Sequence, residues 1–173
     1  ADQPGAAAVA QMLVQRLNCP ETSSAGRWFD AAAGLLGVRR TMAFEGQAAM
    51  LLEGLVEAHG PASPLASTRQ PDGAPDLLPL LAAMADARDA GLAAAQFHAT
   101  LATLLGQWMI EAAEREMIRI VALGGGCLLN RILAAALRGQ LEAAGLTVLE
   151  ARELPPNDGG LSLGQAWIAQ RSS

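Results

Sequence analysis

Apolar side chains recur at steps of three and four residues over the first two thirds of the chain, the spacing of helices with one buried face. The longest stripe runs from Phe97 to Ala112, and a shorter one carries Leu51, Leu55 and Ala58 on one face. Glycines that end helices readily, such as Gly37 and Gly60, follow two of the segments. We predict helices over residues 6–17, 25–36, 46–58, 76–87 and 91–116.

Residues 60–76 interrupt this pattern with four prolines and two glycines, which predicts a surface loop. The last third then changes period. Residues 118–123 form a β-branched run typical of a buried strand, residues 128–144 return to helical spacing, and residues 146–149 suggest a second strand. A last helix over 161–170 completes a βαβα unit, whose two strands we expect to be parallel with a right-handed crossover. Two strands are too few for an independent sheet, so we expect further strands upstream of Ala1 or from a partner.

The first candidate site is the glycine run Gly124, Gly125 and Gly126, placed between the predicted strand and helix. Glycine lets backbone approach a ligand closely, and free N–H groups at a helix N-terminus attract phosphate. Asn130 follows within the first turn, so its amide could reach the same ligand. The spacing matches neither a Walker A loop nor GxGxxG, so a tight turn that binds nothing also fits.

Three more segments place acidic or small residues near helix starts. Asp158 lies in Asn157-Asp158-Gly159-Gly160, where a carboxylate is either a helix cap, the more ordinary role, or a metal ligand. Gly26, Asp30 and Gly34 recur at steps of four, so they share a face that suits either a ligand or close helix packing. In the fourth segment Gly46 follows Glu45, an acidic residue that the helix dipole alone explains.

The composition of the chain limits the kinds of binding and catalysis that it could perform. The net charge is −5, the chain has no lysine, and its twelve basic residues are scattered arginines, which argues against nucleic-acid binding and rules out Schiff-base chemistry by a lysine of this chain. No apolar run approaches a membrane span, and no signal peptide is apparent. Cys19 and Cys127 are far apart, which favours a reducing, cytoplasmic compartment. Cys127 has no sequence-adjacent histidine to activate it, and we expect His98 to be a structural hydrogen-bonding residue.

Taken together, the motifs resemble the C-terminal end of HypF-type carbamoyltransferases of nickel–iron hydrogenase maturation, over about residues 23–169. The Ser-Ser-Ala-Gly-Arg and Pro-Pro-Asn-Asp-Gly-Gly stretches are the most specific. The matching segments are residues 23–31, 44–49, Phe97-His98, 123–126 with Asn130-Arg131, and 155–165.

The resemblance implies an α/β fold: the C-terminal part of an actin/Hsp70-like (ASKHA, ribonuclease H-like) nucleotide-binding domain. Residues 1–173 would then be the C-terminal lobe of a Kae1-like carbamoyltransferase domain. It also implies roles for individual residues: the nucleoside would face Gly26, Asp30 and Gly46; the phosphates would face Gly124, Gly125, Gly126 and Asn130; and Asp158 would help to hold a metal ion.

For the whole enzyme, the resemblance implies transfer of a carbamoyl group from carbamoyl-adenylate, made from ATP, to the C-terminal cysteine of a HypE-type acceptor. A divalent ion, Mg or Fe, would take its other ligands from a histidine-rich motif upstream. That motif and the acylphosphatase-like, zinc-finger and YrdC-like modules are absent here, so we expect the remainder of a HypF chain as partner. The glycine run is shared with tRNA threonylcarbamoyl and small-molecule O-carbamoyl transferases, which stay open as alternatives, as does a non-catalytic nucleotide-binding module.

Overall fold

The computed structural model describes residues 5–22, 24–39 and 41–172. It is an α/β structure dominated by helices, with two small two-stranded sheets. Its elements in chain order are α1 (Ala6–Gln15), α2 (Gly26–Leu35), α3 (Gln47–His59), β1 (Thr68–Arg69), β2 (Pro75–Asp76), α4 (Leu78–Ala85), α5 (Ala90–Arg115), β3 (Ile120–Leu123), α6 (Arg131–Ala143), β4 (Thr147–Glu150) and α7 (Leu161–Arg171).

The long helix α5 organises the core, because α3, α4 and α6 all pack against it. It begins at Asp89, whose carboxylate accepts the backbone N–H groups of Gly91 and Leu92 at 2.9 and 3.0 Å. Alanines at positions 93, 94, 95 and 102 are buried and let neighbouring helices come close. At Gly106 an added Cβ would lie 2.5 Å from Oε1 of Gln140, so glycine allows the close crossing of α5 and α6.

A cluster of three rings marks the centre of this core. Phe29 of α2 meets Phe97 of α5 edge to face, with ring centroids 5.2 Å apart. His98 packs edge to face against both rings and is 2 % exposed. Its Nδ1 lies 2.8 Å from the carbonyl oxygen of Ala94, and its Nε2 lies 2.9 Å from Nδ2 of Asn130. The expectation of a structural hydrogen-bonding role for His98 is therefore confirmed.

The predicted parallel strands and their crossover helix are confirmed. β3 and β4 pair in parallel from Ile120 opposite Thr147 to Leu123 opposite Glu150, and α6 connects them. The first strand is shorter than the predicted 118–123. It is also not buried on both sides: Leu123 faces the core, whereas Ile120 and Leu149 are 57 % and 53 % exposed on the opposite face. β-Branched composition alone does not distinguish a half-covered strand from a fully buried one.

Several helices exist as predicted, but with different buried faces. α3 buries Ala48, Leu52 and Val56. This buried face is rotated by about one residue from the predicted face of Leu51, Leu55 and Ala58. On α5, Trp108 is largely exposed, although the rest of the stripe near Phe97 is buried. In a helix with apolar residues on several sides, the neighbours decide which side is covered.

Helix ends and connections differ in detail from the predictions. The serine pair at positions 23 and 24 predicts a side-chain cap for α2. Ser23 lies outside the described residues, and Ser24 contributes its backbone oxygen rather than its hydroxyl, accepting the N–H of Arg27 at 3.2 Å. The predicted loop 60–76 contains the short antiparallel pair β1–β2. The spacing of Leu129, Leu133, Leu137 and Leu141 predicts one inward-facing stripe. The last three are buried, whereas Leu129 is exposed in a 3-10 turn (Gly126–Leu129) that precedes α6.

Burial lowers the pKa of His98, although its bond to Ala94 and the charge of Glu53 oppose the shift. An unfolded histidine titrates near pH 6.5, so between that pH and the lower folded pKa the unfolded chain binds more protons. The contribution of His98 to the free energy of unfolding should therefore be complete above about pH 6.5. Below that pH the free energy of unfolding should fall, by at most about 1.4 kcal/mol per pH unit from this residue. Urea unfolding of wild type and His98→Gln at pH 7.5 and 5.5 checks this. The variant should be less stable but flatter with pH, and equal slopes would contradict the prediction.

Candidate functional site

The glycine run forms a sharp exit from β3. Gly125 has a φ of 104°, a left-handed conformation that side chains rarely adopt, and the 3-10 turn begins at the next residue. An added Cβ at Gly124 or Gly125 would have no atom within 4 Å. The first N–H groups of any helical turn have no partner within that turn. The N–H of Gly125 is bonded to Pro156, so the donors that this turn leaves for a ligand are those of the residues that follow Gly125, at the start of the 3-10 turn.

The loop that carries Asp158 lies directly against this turn. The N–H of Gly125 donates to the carbonyl oxygen of Pro156 at 2.6 Å, and a Cβ built on Gly126 would lie 3.8 Å from Cβ of Asn157. Asn157 is the capping residue here, because its Oδ1 accepts the N–H of Gly159 at 3.1 Å. The residue that caps this turn is therefore Asn157 and not Asp158, and the side chain of Asp158 is exposed.

The start of α2 approaches the turn from another side. A Cβ added to Gly26 would lie 3.9 Å from Sγ of Cys127 and 3.7 Å from Oγ of Ser24. Burial, and then the nearby charge of Asp30, raise the pKa of the Cys127 thiol. A raised pKa favours the thiol over the nucleophilic thiolate, so this cysteine is a packing residue. Three of the predicted segments, around Gly26, the glycine run and Asp158, therefore meet.

Gly46 takes a different place. It begins α3 with a φ of 79°, and an added Cβ would find no atom within 4 Å. The side chain of Gln47, the next residue, reaches back to the segment before the helix. Its Oε1 accepts the N–H of Ala43 at 2.8 Å, which holds the chain where it enters α3. The described contacts do not join Gly46 to the glycine turn, so its predicted contact with a nucleoside rests on the resemblance.

Asn130 was expected to reach the ligand with its amide, but the structure uses both ends of that amide internally. It is 5 % exposed and is the N-cap of α6, where its Oδ1 accepts the N–H of Leu133 at 2.9 Å. Its Nδ2 faces His98. The proximity to the turn was predicted correctly, whereas the contacts point to a scaffold role.

Sequence reasoning missed Glu53. Its carboxylate, on the α3 face that approaches α6, accepts the backbone N–H of Arg131 at 2.8 Å, and Nε of the same arginine lies 3.6 Å away. Glu57, one turn further along α3, pairs with the guanidinium end of Arg131. Two glutamates at i and i+4, with no arginine or lysine on their own helix, repel each other. This spacing was the available signal that a cation comes from elsewhere.

The described part of the chain contains no cluster of three or more histidine, cysteine or acidic side chains that could hold a metal ion. Asp158 can therefore offer a metal its carboxylate, but not as part of a cluster of three such ligands among the described residues. None of the described helices combines the length and the apolar character needed to cross a membrane.

Comparison with known proteins identifies the family. A model described as "Carbamoyltransferase, Kae1-like Domain, second subdomain" matches residues 1–165. The chain is 50 % identical to Carbamoyltransferase HypF2 of Cupriavidus necator over 195 residues, covering 96 % of this chain and 24 % of that protein. With Carbamoyltransferase HypF of Rhizobium leguminosarum bv. viciae the identity is 42 %, over 97 % of this chain and 22 % of the relative. The chain thus spans about a quarter of the length of these relatives.

Solved structures agree. The fold superposes on full-length HypF in its phosphate- and nucleotide-bound form with a TM-score of 0.84 at 31 % identity, covering 99 % of this chain and 23 % of that one. Superposition on T. kodakarensis HypF gives a TM-score of 0.80 at 27 % identity, over 94 % of this chain and 21 % of that one. The chain therefore belongs to the HypF carbamoyltransferase family, in which it corresponds to the second subdomain of the Kae1-like domain.

Proposed function

We propose that this chain forms the nucleotide-binding half of a carbamoyl-transfer site, completed by other segments of a HypF-type protein. The observation that carries the proposal is the hydrogen bond between Gly125 and Pro156, which joins the glycine turn to the Asp158 loop beside the start of α2. Three segments distant in sequence meet at one place, and each leaves glycine backbone or a carboxylate accessible.

The nucleotide phosphates would lie against the turn at Gly124, Gly125 and Gly126. The open space above the first two glycines suits phosphate oxygens, and oriented backbone N–H groups bind anions without any lysine. The nucleoside would extend towards Gly26 and Asp30 on α2, and towards Gly46. The likeness to a HypF structure that holds phosphate and nucleotide supports this assignment.

The reaction would be transfer of the carbamoyl group from carbamoyl-adenylate to the C-terminal cysteine of a HypE-type acceptor. The acceptor's thiol loses its proton to solvent and its sulfur bonds to the carbamoyl carbon. The bond from that carbon to the adenylate phosphate oxygen breaks, and AMP leaves with the electron pair of that bond. This chain supplies no nucleophile, in agreement with the raised pKa of Cys127. Its contribution is to hold the adenylate and to stabilise the charge that returns to the phosphate.

Among the described residues, Asp158 is the one that we assign to a divalent metal ion. Because the described residues offer no further ligand cluster, they do not fit a metal ion by themselves, and we derive no step through one. We propose that Asp158 gives one carboxylate to an ion whose other ligands come from a different segment. Its exposure, together with the cap supplied by Asn157, leaves both of its oxygens accessible.

The remainder of the protein would also cover exposed apolar surface. Parallel sheets are normally covered on both faces, whereas one face of β3–β4 is exposed to solvent. This face carries Ile120, Ala122, Thr147 and Leu149. α7 adds Trp167 and Ile168, which are 56 % and 65 % exposed. Such surface is typical of a subdomain interface.

Gly124 provides a clean test of the phosphate site. Its φ is not left-handed and an added Cβ meets open space, so Gly124→Ala should leave the melting temperature unchanged while placing a methyl group where phosphate approaches. We expect ATP affinity to fall at least about tenfold, or about 1.4 kcal/mol, and Gly124→Val to abolish binding, as measured by calorimetry on the intact protein.

Gly139→Ala is the matched control, because this α6 glycine also faces open space but lies away from the turn. Gly125→Val should abolish binding too, although its φ of 104° adds backbone strain that Gly124 avoids. Undiminished ATP binding by a folded Gly124→Val protein would contradict the proposed phosphate site.

Substitutions of Asp158 and Asn157 distinguish a metal ligand from a helix cap. Asp158→Ala should leave thermal stability unchanged and reduce carbamoyl transfer to the acceptor at least about tenfold, the loss of about 1.4 kcal/mol of charge stabilisation. Asn157→Ala, which removes the observed cap, should lower stability by about 1 kcal/mol. Both properties are measured on the same preparations. Near-normal transfer by Asp158→Ala would refute its role as a ligand.

A further inference from the structure

The start of α6 is held by two other helices at once. From α3, the carboxylate of Glu53 accepts the N–H of Arg131, the first residue of α6. From α5, His98 contacts the amide of Asn130, the cap of α6, and that amide also accepts the N–H of Leu133. The first and third N–H groups of α6 are therefore bonded within the protein, and the helix N-terminus is already occupied by a carboxylate and an amide.

The same contacts continue into the glycine turn. The N–H of Asn130 donates to the carbonyl oxygen of Cys127 at 3.2 Å, and the N–H of Leu128 donates to Gly125 at 3.0 Å. Gly125 in turn donates to Pro156. A continuous set of short backbone links thus leads from the residue that Glu53 holds to the residues proposed to face phosphate.

Glu53 differs from its neighbour Glu57 in a way that matters. The Glu53 side chain is 14 % exposed and bonds to backbone, whereas Glu57 is 51 % exposed and meets only the flexible guanidinium of Arg131, itself 79 % exposed. A largely buried carboxylate must be paired, so its bond to a fixed N–H constrains the backbone. An exposed ion pair contributes little to position. Arg131, placed between two carboxylates, has its charge balanced inside the chain.

We propose that Glu53 is a positioning residue for the glycine turn. It accepts the first N–H of α6, and so leaves the 3-10 turn as the backbone that faces an anion. Arg131 offsets the negative charge of Glu53. The inference rests on the proposed nucleotide site, to which it adds a residue that touches no ligand. Arg131 then serves to reduce the repulsion that Glu53 and Glu57 would exert on phosphate, because its single positive charge offsets one of the two negative charges, rather than to bind phosphate itself.

The first experiment needs no nucleotide. Hydrogen exchange of residues 124–134 is followed by mass spectrometry in the intact protein. Glu53→Ala should accelerate exchange about fivefold to tenfold, the scale of one lost hydrogen bond. Glu53→Gln, which keeps an oxygen acceptor, should stay within about twofold of wild type, and so should Glu57→Ala, the matched control. Exchange unchanged in Glu53→Ala, or raised equally by Glu57→Ala, would overturn the positioning role.

The second experiment compares ATP affinity in a double-mutant cycle. Arg131→Ala should weaken binding about tenfold through uncompensated negative charge, and Glu53→Gln in the same chain should restore affinity to within about threefold of wild type. An equally weak double variant, at equal melting temperature, would show that Arg131 contacts phosphate directly and would overturn the charge-balance part. Wild type that binds no ATP would instead refute the proposed function, while the exchange result still decides the role of Glu53.

Discussion

The buried amide of Asn130 is the interaction on which the remaining geometry depends. Its oxygen caps α6 and its nitrogen faces His98, so one side chain connects the crossover helix to the central helix α5. A buried polar group needs every partner it can make, and here both ends are satisfied within hydrogen-bonding distance. That requirement sets where α6 begins, and therefore where the chain must turn after β3.

This constraint changes the meaning of the glycine run. A helix N-terminus after a strand and a glycine turn is the usual place for a phosphate. In this chain the α6 terminus is occupied by Asn130 and by Glu53, so its dipole is already complemented by a carboxylate. The donors left for a ligand lie one step earlier, in the 3-10 turn, where glycine is needed because φ at Gly125 is left-handed.

The sequence was sufficient for the order of the helices and of β3 and β4, because those follow from local signals, whereas the short pair β1–β2 was missed. That three of the motifs lie close together was expected only through the family resemblance. The change of period at residues 118–123, the glycines after helices and the crossover rule together predict the parallel pair. Burial was less predictable. The covered face of α3 and the open face of β3–β4 depend on neighbours that no local pattern specifies. Glu53 escaped notice because its partner lies 78 residues further along the chain.

The Asp158 loop and the exposed face of β3–β4 both lack partners among the described residues. Asp158 offers a carboxylate without companion ligands among the described residues, and β3–β4 offers an apolar face without a covering layer. A lone exposed carboxylate gains little from being fixed beside a glycine turn unless another charged group arrives there. A two-stranded parallel sheet likewise gains from a second layer. Both features agree with the proposed site, which would be assembled across an interface: this chain would present backbone donors, and the other side would complete the chemistry.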